Sequence, residues 1–110
     1  MWARLYAQSK LAQVIHTFDL AEWLDPAQVT ANALHPATYM PTKIVIHARG
    51  SGVSRLEDGS EATERLAVAA DVDGVSGRFY DGLRESAANP QAYVAEARRR
   101  LRDLSLRLTM

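Results

Sequence analysis

From Leu5 to Leu24 the chain runs without a glycine or a proline. Along this stretch Leu11, Ile15, Phe18 and Leu24 recur near helical spacing, with Val14 and Ala21 beside them. The spacing predicts one long amphipathic helix, and no other stretch limits the fold as much. Asp25-Pro26 ends it, because the residue before a proline is pushed away from helical dihedrals. At 110 residues, 47% of them hydrophobic, the chain has material for one modest domain, residues 1–110, and not for two.

Val29 to Leu34 is a short β-prone run with little charge, expected as a strand buried on both faces. The segment from His35 to Thr42 carries Pro36 and Pro41, which deny regular structure and leave a stiff loop at the carboxyl end of that strand. In open α/β sheets ligands sit at such ends. Lys43 to Arg49 fits a strand or a one-turn helix equally well, and Gly50-Ser51-Gly52 reads as a flexible joint. Ser54 and Glu57 have the spacing of a capping box, so a second helix is expected from there to about Ala70, with Ala62, Leu66, Ala69 and Ala70 on its buried stripe. A turn-rich stretch from Asp71 to Gly77 leads to a short strand at Arg78 to Tyr80, stopped by Asp81-Gly82. Strand, helix and strand then form a right-handed crossover with parallel strands. Asn89-Pro90 opens a last helix whose apolar face is Ala97, Leu101, Leu104 and Leu108, with Arg98, Arg99 and Arg102 on its other faces. The order helix, strand, helix, strand, helix places the chain in the α/β class.

Thirteen basic residues balance thirteen acidic ones, so no global field draws the chain to nucleic acid or an anionic membrane. The run Arg98-Arg99-Arg100 reads most simply as a solvated helix side, with Glu96 and Asp103 nearby, and a nucleic-acid contact there is the weaker alternative. The absence of cysteine excludes disulfides and thiolate metal sites. No apolar run has the make-up of a signal peptide or the length of a membrane span, so a cytoplasmic location is expected.

Tyr6 and Lys10 are four residues apart at the start of the first helix and so share one face of it. A free tyrosine is a poor acid or base near neutrality, but a neighbouring ammonium favours the phenolate, and such a pair suits proton transfer to or from a carbonyl or alcohol. The same spacing is also met where a half-buried tyrosine lies beside a solvated lysine. His16, His35 and His47 have no partner at zinc-ligand spacing, and they read as one helix-surface residue and two loop residues. Ser9 and Ser51 lack the surroundings of an acyl-transfer nucleophile, and Gly50-Ser51-Gly52 lacks the further glycines or lysine of a phosphate loop.

Taken in order, Tyr6-x-x-Ser9-Lys10, then Asn32-Ala33-Leu34-His35-Pro36, then Gly77-Arg78-Phe79-Tyr80 resemble the second half of a short-chain dehydrogenase/reductase. The retinol-dehydrogenase-like and protochlorophyllide-reductase-like members are the most similar in flavour, and Arg100 to Ser105 resembles the helix that often closes them. The resemblance implies the carboxyl-terminal portion of a Rossmann-like, doubly wound parallel sheet and an NAD(P)-dependent hydride transfer between nicotinamide and a carbonyl or alcohol. It makes Tyr6 the catalytic acid/base and Lys10 the residue that tunes it and holds the nicotinamide ribose. Pro36, Ala37 and Thr38 stand in the place of the loop that approaches the nicotinamide, with alanine where the family has glycine. Thr42 lies near a further cofactor contact, and Tyr39 and Met40 would look toward the substrate. The first helix of such enzymes packs against its twin, so Ile15, Phe18 or Trp23 is expected to face another subunit.

The glycine-rich turn that receives the pyrophosphate in that family, and its catalytic serine, precede the tyrosine, whereas this chain begins five residues before Tyr6. The rival expectation is therefore a non-catalytic remnant or an interaction module that docks on full-length relatives through its first helix.

Overall fold

The computed structural model describes residues 1–37, 52 and 55–110. The fold is mixed α/β, with three α-helices and a small three-stranded sheet among the described residues. It divides into two compact units, one made of Met1–Ala33, Gly74–Arg78 and Ala87–Met110, the other of Leu34–Asp73 and Phe79–Ser86.

The first unit is built on α1, Trp2–Trp23, the helix expected from the long run without glycine or proline. The helix stops as Leu24 turns extended, and Asp25 closes the exit by accepting the Ala27 N–H at 3.0 Å. Ile15 and Phe18 are buried against the end of the chain. The Phe18 ring centroid lies 5.2 Å from that of Tyr93, whose hydroxyl accepts the Ala88 N–H at 2.9 Å. Asn89 is the expected cap, taking the Gln91 N–H at 2.9 Å, but what it caps is a 3-10 turn at Pro90–Tyr93. The last helix, α3, is a separate element, Ala95–Thr109. Ala92 is fully buried inside that turn.

The arginines of α3 correct a sequence expectation. Arg98 and Arg102 are not on a solvated side. Arg98 is 9% exposed, pairs with Glu22 of α1 and donates to the Ala92 carbonyl at 3.2 Å. Arg102 meets Asp19 of α1 through Nε at 3.1 Å and Nη2 at 3.3 Å, and its guanidinium lies 5.1 Å from the Trp23 ring centre. Arg99 alone of the three stays outside, held by Glu96 and Asp103 of its own helix. Two acids three apart on α1 thus face two bases four apart on α3, a match between elements that no local pattern encodes. Leu104 and Leu108, expected on the buried face, are 44% and 77% exposed.

The second unit holds α2, Leu56–Val68, which buries Gly59 and Ala62 and half-buries Leu66 and Ala69. Ala70, expected on the same stripe, is exposed because the α-helix has already ended and a 3-10 turn, Ala70–Val72, has begun. The turn brings Asp71 to Arg65 at 2.8 Å, and the Arg65 guanidinium also lies 5.7 Å from the ring centre of the buried Tyr80. The amino-terminal cap is displaced by one residue from the expected Ser54 and Glu57. Asp58 accepts the Arg55 backbone N–H and its guanidinium, each at 3.1 Å. Aspartate at the third helical position satisfies an orphan donor and suits the positive end of the helix.

Those contacts give a pH prediction. The Arg55 guanidinium, with the Arg55 backbone N–H, holds the Asp58 carboxyl below the usual carboxylate range. A depressed folded-state value means that the cap's contribution is complete above the unfolded carboxylate value of about 4 and is lost as pH falls through the folded one. An NMR titration of the Asp58 carboxyl is expected to show a midpoint below that range and, in an Arg55→Ala chain, a midpoint moved back toward it. An unmoved midpoint would contradict the assignment.

The sheet has the order β1-β2-β3. The strand expected over Val29 to Leu34 shortens to β1, Ala33–His35, and is half-buried at Ala33 and Leu34 rather than covered on both faces; His35 is its exposed last residue, not a loop residue. Ala33 N–H donates to the Arg78 carbonyl at 3.0 Å and Gly82 N–H to the His35 carbonyl at 2.8 Å, so the bonds advance in the same sense along β1 and β2, Phe79–Asp81. That is the parallel pairing expected for these strands. Beyond Gly82 the chain does not stop but folds back as β3, Arg84–Ser86, pairing Asp81 with Arg84 and Tyr80 with Glu85. Gly82 makes the reversal with φ +62°, which other residues rarely adopt. The exposed strand of Arg84, Glu85 and Ser86 carries no apolar alternation, which is why its sequence does not announce it.

Candidate active site

Tyr6 and Lys10 lie on the first turns of α1, both exposed, with the Lys10 Nζ 5.5 Å from the centre of the Tyr6 ring. The four-residue spacing brings them together, as α-helical geometry requires. An ammonium over a phenol ring at this distance is attracted by the ring quadrupole, worth about 0.5–1 kcal/mol at an exposed position. Ser9, one residue before the lysine, donates its hydroxyl to the Tyr6 carbonyl at 2.7 Å and so adds a second tie within the same turn. The two side chains therefore present a hydroxyl and a cation to solvent from one patch of a rigid helix. That arrangement can pass a proton to a bound molecule while keeping a positive charge beside the donor.

Of the other predicted residues, Pro36 and Ala37 are half-buried immediately after β1. They belong to the second unit, Tyr6 and Lys10 to the first. Thr38, Tyr39, Met40 and Thr42 lie outside the described residues, as do Lys43 to Arg49 and His47. His16 is exposed on α1. Among the described residues no group of three His, Cys, Asp or Glu side chains is placed to hold a metal ion, and no helix is long and apolar enough to cross a membrane.

An open groove of about 740 Å³ runs between α1 and α3, floored by Leu11, Ile15, Ala97 and Leu101. Neither Tyr6 nor Lys10 lines it. The residues that the sequence reading undervalued are Asp19, Glu22, Arg98 and Arg102, which lock α3 to the helix bearing Tyr6 and Lys10. Their signal in the sequence is faint: two acids near the end of an apolar helix face.

No family model and no solved structure matches the chain. Curated proteins do. Over 94% of its length the chain is 37% identical to retinol dehydrogenase 13 of Mus musculus, covering 35% of that protein. It is 32% identical to retinol dehydrogenase 14 of the same organism over 91% of its length, and 29% identical to the WW domain-containing oxidoreductase of Pongo abelii over 97%. These relatives are oxidoreductases by name, and the chain spans about a third of the length of the retinol dehydrogenases it matches. The ordered motifs at Tyr6 to Lys10, Asn32 to Pro36 and Gly77 to Tyr80, together with this similarity along nearly the whole chain, make it a homologue of the short-chain dehydrogenases/reductases, consistent with their carboxyl-terminal part.

Proposed function

We propose that the chain is the carboxyl-terminal part of an NAD(P)-dependent oxidoreductase of the short-chain type, whose complete sheet is Rossmann-like and doubly wound. The observation that carries this reading is the juxtaposition of the Tyr6 phenol and the Lys10 ammonium on one exposed face of α1, in a chain homologous to retinol dehydrogenases. The residues fit such a cofactor in kind: Lys10 offers donors to a ribose hydroxyl, and Pro36 and Ala37 leave a parallel strand at its carboxyl end, where nucleotides are received in open α/β sheets. A nicotinamide bound there would supply the hydride chemistry. On this reading Tyr6 would move the proton at the substrate oxygen, Lys10 would keep a cation beside that phenol and hold the ribose, and Pro36, Ala37, Thr38 and Thr42 would hold the nicotinamide ring. The substrate, a small carbonyl or alcohol, would be met by Tyr39 and Met40, which lie outside the described residues. A cytoplasmic location accompanies this reading.

A second reading is favoured by the outer side of α1. Leu5 and Trp23 are 57% and 68% exposed and lie eighteen residues apart, five whole turns, with Leu20, 37% exposed, about 60° round the helix from their line. Such a stripe suits a second copy or a full-length relative, and on this reading the chain is an interaction module. Ile15 and Phe18, expected among the residues facing another subunit, are instead buried within the chain, which leaves Trp23 for that role.

Thermal unfolding of the 110-residue chain with and without NADH and NADPH separates the two. A ligand bound only by the folded state raises the midpoint, by about 2.7 kcal/mol of added stability at a hundredfold excess over the dissociation constant. A cooperative transition shifted by one nucleotide is expected from a working half-site. A transition that ignores both would leave the interaction module.

A further inference from the structure

Residues 31–33 and 75–78 are stitched together by backbone bonds and by side-chain bonds that strand pairing does not supply. Gly77 N–H donates to the Ala31 carbonyl at 2.8 Å and Ala33 N–H to the Arg78 carbonyl at 3.0 Å. Between these two backbone bonds stands the side chain of Asn32. Its Nδ2 donates to the Val75 carbonyl at 2.8 Å and its Oδ1 accepts the Arg78 N–H at 3.0 Å. Ser76 adds a hydroxyl that accepts the Ala31 N–H at 3.0 Å. The asparagine amide thus serves as an extra peptide group, offering one donor and one acceptor at opposite ends of a single turn. Aspartate lacks the donor, and glutamine is one methylene too long.

The turn it engages leaves little freedom. Gly77 has φ +73°, and a Cβ there would stand 3.4 Å from the Ala21 Cβ, so the backbone is held close to α1. β1 itself is only three residues long and half-buried, and a strand so short specifies its own register weakly. A slip of one residue would empty both Asn32 bonds and turn each β1 side chain to the other face.

We infer that Asn32 is a positioning residue, whose amide fixes the register of β1 against the 75–78 turn and so sets where the strand ends and the segment beginning at Pro36 leaves it. The inference rests on the proposed reading of that segment as the nicotinamide seat. It assigns Asn32 no contact with cofactor or substrate.

The test uses the 110-residue chain with three variants, Asn32→Asp, Asn32→Ala and Arg99→Ala. Amide hydrogen exchange is followed at Arg78, whose acceptor Asn32→Ala removes and Asn32→Asp keeps, and at Gly82, whose N–H meets the His35 carbonyl at the far end of β1. NADH and NADPH affinities are measured in parallel. Both Asn32 variants should speed exchange at Gly82, Asn32→Ala should speed it at Arg78 as well, and both should weaken nucleotide binding about tenfold, in line with a half-buried donor or acceptor left unmet. Arg99→Ala, whose pairs with Glu96 and Asp103 lie in solvent on α3, should change neither.

In Asn32→Asp a carboxylate faces the Val75 carbonyl near neutrality, and acidification to about pH 4 restores an O–H donor there. Protection at Gly82 should therefore recover on acidification in that variant, which a generally damaged fold would not do. Asn32→Ala, which places no charge against the carbonyl, keeps the test open where the aspartate variant fails to fold. Unchanged exchange at Gly82, or unchanged affinity in a chain whose wild type binds nucleotide, overturns the positioning role. A wild type that binds neither nucleotide overturns the reading of the Pro36 segment, and the link to it falls with that reading.

Discussion

Replacing Tyr6 with phenylalanine is expected to lower turnover by about a hundredfold to ten-thousandfold, the range that a positioned proton donor contributes. The measurement is made on the chain joined to the portion of retinol dehydrogenase 13 that the match leaves uncovered. Phenylalanine keeps the ring over which Lys10 lies at 5.5 Å, so the substitution removes the hydroxyl and little else. Nucleotide affinity should stay within about twofold, the mark of a group whose main contribution comes in the transition state. The expected pattern is a loss in kcat and kcat/KM of equal size, the mark of an interaction made in the transition state. Turnover retained in the Phe variant would remove Tyr6 from the mechanism and leave the Tyr6–Lys10 pair as a surface contact on a helix.

Arg102→Ala is expected to cost about 3 kcal/mol of stability and on the order of 10 °C in the unfolding midpoint. The reason lies in its partner. The Asp19 side chain is 7% exposed, and its carboxylate meets Arg102 at 3.1 and 3.3 Å. Removing the arginine leaves a carboxylate out of water with nothing to offset its charge, and it also removes the cation from the Trp23 ring. The estimate stands at the low end for a buried pair because the Arg102 side chain keeps 35% of its exposure. Arg99→Ala is the control: its pairs with Glu96 and Asp103 lie in solvent, where such contacts are worth about 0–1 kcal/mol. Adding Asp19→Asn to the Arg102→Ala chain should recover most of the loss, since the amide no longer needs a counter-charge, and the resulting cycle gives the coupling between the two side chains. Equal costs for Arg102→Ala and Arg99→Ala would mean that the Asp19–Arg102 pair contributes nothing to holding α3 on α1.

These two expectations differ in how far they were legible in the sequence. Tyr6 and Lys10 are four apart in a run with no helix breaker, and helical geometry alone puts them on one face, so this half of the candidate site is local information. Pro36 and Ala37 were likewise placed at the carboxyl end of a strand by the prolines that follow it. Asp19 with Arg102, and Glu22 with Arg98, carry separations of 83 and 76 residues. Nothing near either arginine distinguishes it from Arg99, and charge next to charge on a helix reads as solvated surface. Only the packing of α3 on α1 sorted the three.

The sheet divides in the same way. The β-prone runs before Pro36 and around Phe79 mark two strands and their parallel sense, but each strand begins and ends later than its run, at Ala33–His35 and Phe79–Asp81. β1 begins only at Ala33 because Ala31 and Asn32 spend their hydrogen-bonding groups on the 75–78 turn rather than on a neighbouring strand. The return strand Arg84–Ser86 is charged and exposed, so its conformation comes from pairing with Phe79–Asp81 and from the left-handed turn at Gly82, not from its own residues.

What the sequence by itself determined is therefore whatever depends on neighbours within a turn or two: the extent of α1, the shared face of Tyr6 and Lys10, the existence of α2, and the ordered motifs that tie the chain to the short-chain dehydrogenases/reductases. What the tertiary structure alone decided is which charged and polar side chains stop being surface: Arg98 and Arg102 on α3, Asp19 on α1, and Asn32 in the turn before β1. The physical reason is that burying such a group is costly unless a partner satisfies it, and here the partners come from parts of the chain more than forty residues away.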